Sequence, residues 1–160
     1  MTYKDWVLEN SSKRRNLQQK LESWGLSQPE VIDYFRFENM RDNEPTYCGL
    51  YEINTKCHNI ENLNCYLCAC PHFRFKDKVG FEKRDGRIVF SFCSIDSKNG
   101  KLFESEEAIH QDCSDCFIPH SASVALKHYE TLDPIKDTYS ILELIRGWQL
   151  ADLLNKYKLF

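Results

Sequence analysis

Apolar positions fall in three stretches of the chain, and their spacing passes from helical to alternating and back to helical. In the first stretch Trp6, Val7, Leu17, Leu21 and Trp24 lie along one predicted helix, with Thr2-x-x-Asp5 resembling a capping box at its start. Gly25 is its predicted stop. A second helix starts at Ser27-Gln28-Pro29-Glu30, where Ser27 is the N-cap, Pro29 stands in the first turn and Glu30 takes the N3 position. Val31, Ile32 and Phe35 give that helix a buried side. The polar run Arg41-Asp42-Asn43-Glu44-Pro45 predicts a break.

Between Val79 and Ser94 the pattern becomes that of strands. Asp85-Gly86 separates Val79-Gly80-Phe81-Glu82-Lys83 from Arg87-Ile88-Val89-Phe90-Ser91-Phe92, and the dipeptide suits a type I′ hairpin turn. Asn99-Gly100 predicts another turn, with a short strand around Lys101-Leu102-Phe103. Residues 121–132 read as helical. A last helix begins at Asp133-Pro134 and runs toward Tyr157, with Leu142, Ile145, Trp148, Leu150 and Leu153 on its apolar side. Short helices need tertiary packing, so Trp6, Trp24 and Trp148 are expected to be at least partly buried. The expected fold is α+β, a small antiparallel hairpin and metal-knuckle core packed by N- and C-terminal helices. Residues 1–160 are expected to form a single domain, with a helical segment over 1–44, a cysteine-rich metal-binding core over 45–123 and a second helical segment over 124–160.

Composition narrows the function. The chain has 160 residues, 42% apolar and 28% charged, which is the make-up of a globular protein rather than a disordered one. Lys and Arg number 21 against 24 Asp and Glu, a formal net charge of -3, so binding to nucleic acid through bulk positive charge is not expected. Lys13-Arg14-Arg15 reads as a solvated helix face. The most apolar stretch, Ile141 to Leu154, is broken by Glu143, Arg146, Gln149 and Asp152, so no membrane span is expected. Lys4 and Asp5 put charge where the apolar part of a secretory leader would begin, and the expected compartment is the cytoplasm. Thiols stay reduced there, which sets metal binding above a disulfide framework for the eight cysteines.

The cysteines cluster. Cys57-His58 is followed by Cys65-x2-Cys68-x-Cys70-Pro71, and later by Cys113-x2-Cys116-x3-His120. A C-x2-C knuckle lets two thiolates grip one ion while backbone N–H groups of the turn donate to the sulfurs. Cys65, Cys68 and Cys70 put three thiolates within a six-residue arc, and Cys113, Cys116 and His120 form a second half-site. Cys57 or His58 is expected to return as a fourth ligand, the other of these adjacent residues being spare or serving another ion. Cys48 and Cys93 are further candidates, Cys93 lying in a predicted strand where a thiol is often only a small core residue. Mixed Cys and His suit zinc, whereas an all-thiolate set and the closing Cys70-Pro71 suit an iron–sulfur cluster of the 4Fe–4S type. With this many ligands, two metal centres are possible.

The segments Lys56-Cys57-His58, Asn64-Cys65-Tyr66-Leu67-Cys68-Ala69-Cys70-Pro71 and Gln111-Asp112-Cys113-Ser114-Asp115-Cys116-Phe117-Ile118-Pro119-His120 carry a resemblance. Over residues 47–129, about half the chain, the sequence resembles the family called the cysteine-rich small domain. The resemblance implies a zinc-finger-like, metal-binding domain, one that also occurs fused to an enzyme of cobamide biosynthesis where a metallocentre is implied. The expected function is therefore that of a cytoplasmic metal-binding protein with an iron–sulfur or zinc centre, in a redox or structural role beside a partner enzyme. A zinc-stabilised interaction module without redox activity, and a small metalloenzyme linked to cobamide metabolism, are the alternatives. No phosphate loop, nucleotide fingerprint or C-x3-C-x2-C motif points to a particular small-molecule substrate.

Overall fold

The computed structural model of the chain describes residues 3–76 and 79–129, and the fold is α+β. The predicted last helix, with Trp148, lies outside these residues. Residues 3–70 with 117–129 form one compact unit, and residues 71–76 with 79–116 form another. The two cysteine motifs are thereby divided, Cys70 closing the first stretch of one unit and Cys116 the last of the other. Among the described residues no helix is long and apolar enough to cross a membrane.

The first unit begins with helix α1, Tyr3–Ser23. Val7, Ser11, Gln18 and Leu21 follow the three-to-four spacing of one helix face, and all four are buried with Leu8 and Leu17. Gly25 ends the turn after α1 with φ +84°, a conformation that costs an L side chain energy. Helix α2, Gln28–Tyr34, starts as its sequence predicts: the Glu30 carboxylate accepts from the Ser27 backbone N–H at 2.7 Å and from its hydroxyl at 2.6 Å. The polar run predicted to break the chain instead carries the end of helix α3, Phe37–Asn43. That helix buries only Phe37 and Met40, too short an apolar pattern to stand out in the sequence. Trp24 is also a correction, being 59% exposed. It lies beyond the last residue of α1, where the chain leaves the helical path, and the Lys20 ammonium covers its ring at 5.0 Å. Trp6 is half-buried, as expected.

The core of this unit brings α1, α2 and α3 onto the residues around the first cysteines. Leu21, Val31, Phe35 and Met40 pack with Leu63, Tyr66 and Leu67, and short helix α4, Ala122–Lys127, adds Ala125. Phe35 is at the centre, fully buried, with its ring edge-on to Tyr66 at 5.1 Å and to Tyr47 at 6.1 Å.

The second unit is made of strands. β1 (Phe73–Phe75) pairs antiparallel with β4 (Ser91–Cys93), Phe73 opposite Cys93. β2 (Glu82–Arg84), β3 (Arg87–Val89), β5 (Lys101–Glu104) and β6 (Ala108–Asp112) form a four-stranded sheet in the order β2-β3-β6-β5. The predicted hairpin is β2-β3, and Asp85 and Gly86 turn it with φ of 51° and 81°, the two positive angles of a type I′ turn. β3 and β6 run parallel, a pairing that local pattern does not reveal. Gln111 ties the two sheets, its N–H donating to Ser91 Oγ at 2.8 Å while its side-chain oxygen accepts from the Cys93 N–H at 2.9 Å.

Removing the Phe35 ring should be the most damaging single change in the first unit. Phe35→Ala is expected to lower stability by about 3–5 kcal/mol, because the site is closed on all sides and cannot collapse onto the void. Urea denaturation, with hydrogen exchange at residues 63–67 as the local reading, checks this.

Candidate metal centre

Three segments deliver the ligands of the first unit. Cys57 and His58 sit on an irregular loop, where a single lysine replaces regular structure as the anchor. The Lys56 ammonium donates to the carbonyls of Ile60 at 3.1 Å and Glu61 at 2.7 Å and pairs with Glu38 of α3 at 3.1 Å. His120 ends a 3-10 turn, Ile118–His120, in which Pro119 is buried, and Ser121 then caps α4.

Between these two segments runs the strand-like stretch around Asn64. Phe37 N–H donates to the Leu63 carbonyl at 2.9 Å, and Cys65 N–H donates to the Phe35 carbonyl at 2.8 Å. Asn64 N–H donates to the His120 carbonyl at 2.9 Å, and His120 Nδ1 lies 3.1 Å from the Asn64 carbonyl. A carbonyl only accepts, so Nδ1 carries the ring proton and the lone pair is left on Nε2. That nitrogen is 3.9 Å from Cys57 Sγ, and His58 Nδ1 is 3.2 Å from the same sulfur. The two imidazole rings are 4.4 Å apart, and Phe117 holds His58 from the side, edge-on at 5.8 Å.

Cys57, His58 and His120 therefore offer one ligand atom each, all within 4.8 Å of one another, a group that could hold a metal ion. In a tetrahedral zinc site, bond lengths of about 2.0–2.3 Å set ligand atoms roughly 3.3–3.8 Å apart, so a contraction of about 1 Å closes this group. Adjacent Cys57 and His58 both join it, where the sequence predicts that one is spare or serves another ion.

Cys57 and His120 also line a cavity of about 330 Å³ in the same unit, together with Cys48, Cys65 and Cys68. The remaining wall includes Tyr47 and Tyr51. Cys65 is buried and Cys48 and Cys68 half-buried. Cys70 does not line the cavity. Cys65, Cys68 and Cys70 do not close on one point as their spacing predicts, since no second trio of Cys, His, Asp or Glu ligand atoms comes within 4.8 Å among the described residues. The reason is local: Tyr66 and Leu67 turn into the core between the cysteines, and Tyr66 N–H is taken by the Asn64 side-chain oxygen at 3.0 Å rather than by a sulfur.

The other candidates belong to the second unit. Cys93 is on β4 and lines a separate hollow of about 520 Å³ with Phe81, Phe92 and Lys101. Cys113 and Cys116 close a turn through a 3.0 Å bond from Cys116 N–H to the Cys113 carbonyl, and the Ser97 hydroxyl lies 3.5 Å from the Cys116 sulfur. His110, exposed, stacks on Phe90 at 5.3 Å.

Electrostatics suit the first group to a cation. Burial pushes the His120 imidazolium down, the Asn64 carbonyl opposing and His58 adding to the effect, so the ring is neutral and ready to ligate. Burial pushes the Cys65 and Cys68 thiols up to about 12, and raises Cys57 as well. Without a cation these thiols keep their protons; metal binding would displace them. The Tyr51 hydroxyl is near enough to Cys65 to favour its thiolate, yet it makes no well-formed hydrogen bond.

No family model, curated protein or solved structure matches this chain. The resemblance to the cysteine-rich small domain thus rests on the quoted motifs alone, and the donor set itself is the ground for a functional reading. Asn64, Tyr47 and Tyr51 are the contributors that ligand spacing did not single out, because none of them is a ligand type.

Asn64 is fully buried, and its amide nitrogen also donates to the Ile32 carbonyl at 2.7 Å. Asn64→Ala would leave the Tyr66 N–H buried without its acceptor and loosen the backbone that orients His120. The expected cost is about 1–3 kcal/mol of stability, with weaker metal uptake, read by thermal unfolding and by competition against a chromophoric chelator.

Proposed function

We propose that this protein is a metal-binding protein whose centre is built on Cys57, His58 and His120, with zinc as the metal of that group. The observation that carries the reading is the convergence of one sulfur and two imidazole nitrogens within 4.8 Å, with the His120 tautomer set by Asn64. Mixed sulfur and nitrogen ligation is what zinc accepts in structural sites, and the thiols of the adjoining cavity are at hand to supply a fourth ligand. The metal then replaces missing core: the loop carrying Cys57 has little apolar packing of its own, and ligand binding free energy becomes folding free energy. In this reading the protein is a cytoplasmic module that acts with a protein partner, and the resemblance to the cysteine-rich small domain supports the metal.

A second reading is favoured by one specific feature. Four cysteines, Cys48, Cys57, Cys65 and Cys68, surround a cavity of about 330 Å³, more room than a single ion needs, and all-thiolate ligation suits an iron–sulfur cluster with a redox role. Anaerobic purification with metal analysis separates the two. A colourless protein with bound zinc supports the first reading; bound iron with sulfide and broad visible absorption supports the second. A protein carrying neither metal, and taking up neither on reconstitution, overturns both.

Substitution at His120 tests the ligand set directly. His120→Ala should weaken zinc binding by more than the roughly 10–100-fold that loss of a supporting hydrogen bond to a ligand costs, whereas His120→Cys should retain the metal. Metal content after dialysis against a chelator checks both. Unchanged zinc retention in His120→Ala would remove His120 from the centre.

A further inference from the structure

The cavity beside the Cys/His group has a feature that the ligands do not explain. The hydroxyls of Tyr47 and Tyr51 are buried and have no hydrogen-bond partner at proper geometry among the described residues. Leaving a buried hydroxyl unpaired costs about 1–3 kcal/mol, so two in one wall is a strong departure from the usual rule. Their orientations are fixed by packing. The Tyr51 ring is edge-on to Phe37 at 5.6 Å and the Tyr47 ring edge-on to Phe35 at 6.1 Å. A backbone turn, Tyr51 N–H to the Cys48 carbonyl at 3.0 Å, holds the segment between them. The cavity that both tyrosines line is also lined by Cys48, Cys65 and Cys68.

We infer that Tyr47 and Tyr51 are hydrogen-bond donors reserved for metal-bound thiolates in this cavity, and that Tyr51, the more deeply buried, is the stronger of the two. This rests on the reading of the protein as a metal-binding one and names the residues that support its sulfur ligands. A neutral thiol is a weak acceptor, so a phenol in this wall has no strong partner until a sulfur is deprotonated. Binding a cation removes the proton of the cavity thiol that ligates it, and a phenol beside that sulfur then has an anionic acceptor. An O–H donor to a charged acceptor makes a bond about twice as strong as a neutral pair. The tyrosines are thus positioning residues: sharing a cavity wall with the cysteines, they favour the charged sulfur that a metal requires.

The test uses the full chain, with Zn(II) and Co(II) as the probes. Tyr51→Phe keeps the ring and removes only the hydroxyl. It should lower the affinity for both ions by about 10–100-fold and shift the sulfur-to-cobalt charge-transfer band. Tyr47→Phe should do the same to a smaller extent. Thermal unfolding of the metal-free variants should be unchanged or slightly raised, since an unpaired buried hydroxyl has been taken away. Tyr34→Phe, whose hydroxyl donates to Glu44 at 3.0 Å elsewhere in the unit, should leave affinity and spectrum alone. A Tyr51→Phe protein that binds both ions as tightly as the wild type, with the same spectrum, overturns the inference. So does a metal-free variant whose stability falls in step with its affinity, because the hydroxyl would then serve the fold. A wild-type chain that takes up neither ion overturns the metal reading itself, and this inference with it.

Discussion

The stretch Leu63-Asn64-Cys65 is the constraint on which the first unit depends. Its backbone is bonded on one side to Phe35 and Phe37, at the join of helices α2 and α3, and on the other to His120. One three-residue segment thereby sets the distance between the helical core and the histidine that completes the Cys/His group. The Asn64 side chain secures the segment from within, spanning the Ile32 carbonyl and the Tyr66 N–H. A buried asparagine with every partner satisfied specifies one arrangement, since any other leaves a polar group stranded in the core. The same residue decides which nitrogen of His120 is free to bind a cation.

The candidate centre is a product of that arrangement rather than of a compact motif. Cys57 and His58 arrive on a loop pinned by Lys56, His120 arrives 62 residues after His58 on a 3-10 turn, and the thiols of Cys48, Cys65 and Cys68 line the neighbouring cavity. Burial raises the Cys65 and Cys68 thiols, which favours their protonated form. A further network reaches the cysteine segment from α1: Tyr66, between Cys65 and Cys68, donates to Gln18 at 2.9 Å and stacks on Tyr129 with its ring 5.6 Å away. The cysteines on that segment are therefore held from the helix side as well as from the His120 side.

Much of the local structure was legible in the sequence, because it depends on neighbours. The Ser27/Glu30 capping box, the glycine stop after α1 and the Asp85-Gly86 turn are each written in two to four adjacent residues, and each formed. Helix α3 and Trp24 were misjudged for the complementary reason. A seven-residue helix with two buried side chains has too little periodicity to register, and the fate of Trp24 turns on where the chain leaves α1. Strands β1 and β6 are not evident in the sequence either: β1 takes β4 from a distant part of the chain, while β6 pairs antiparallel with neighbouring β5 and in parallel with the more distant β3.

For the centre, the sequence by itself determined the chemistry on offer: eight thiols, imidazoles beside two of the clusters, and the spacings that make metal ligation the natural reading. Only the tertiary structure decided which of them meet. It joined both Cys57 and His58 to His120 and assigned Cys93, Cys113 and Cys116 to another compact unit. It turned the C-x2-C arc so that Tyr66 and Leu67 fill the core while no three of its sulfurs converge. The physical reason is the difference in range. Ligand type and turn propensity are local, whereas convergence depends on backbone bonds between segments more than fifty residues apart, as Asn64 and His120 are, and on which side chains the core has room to bury.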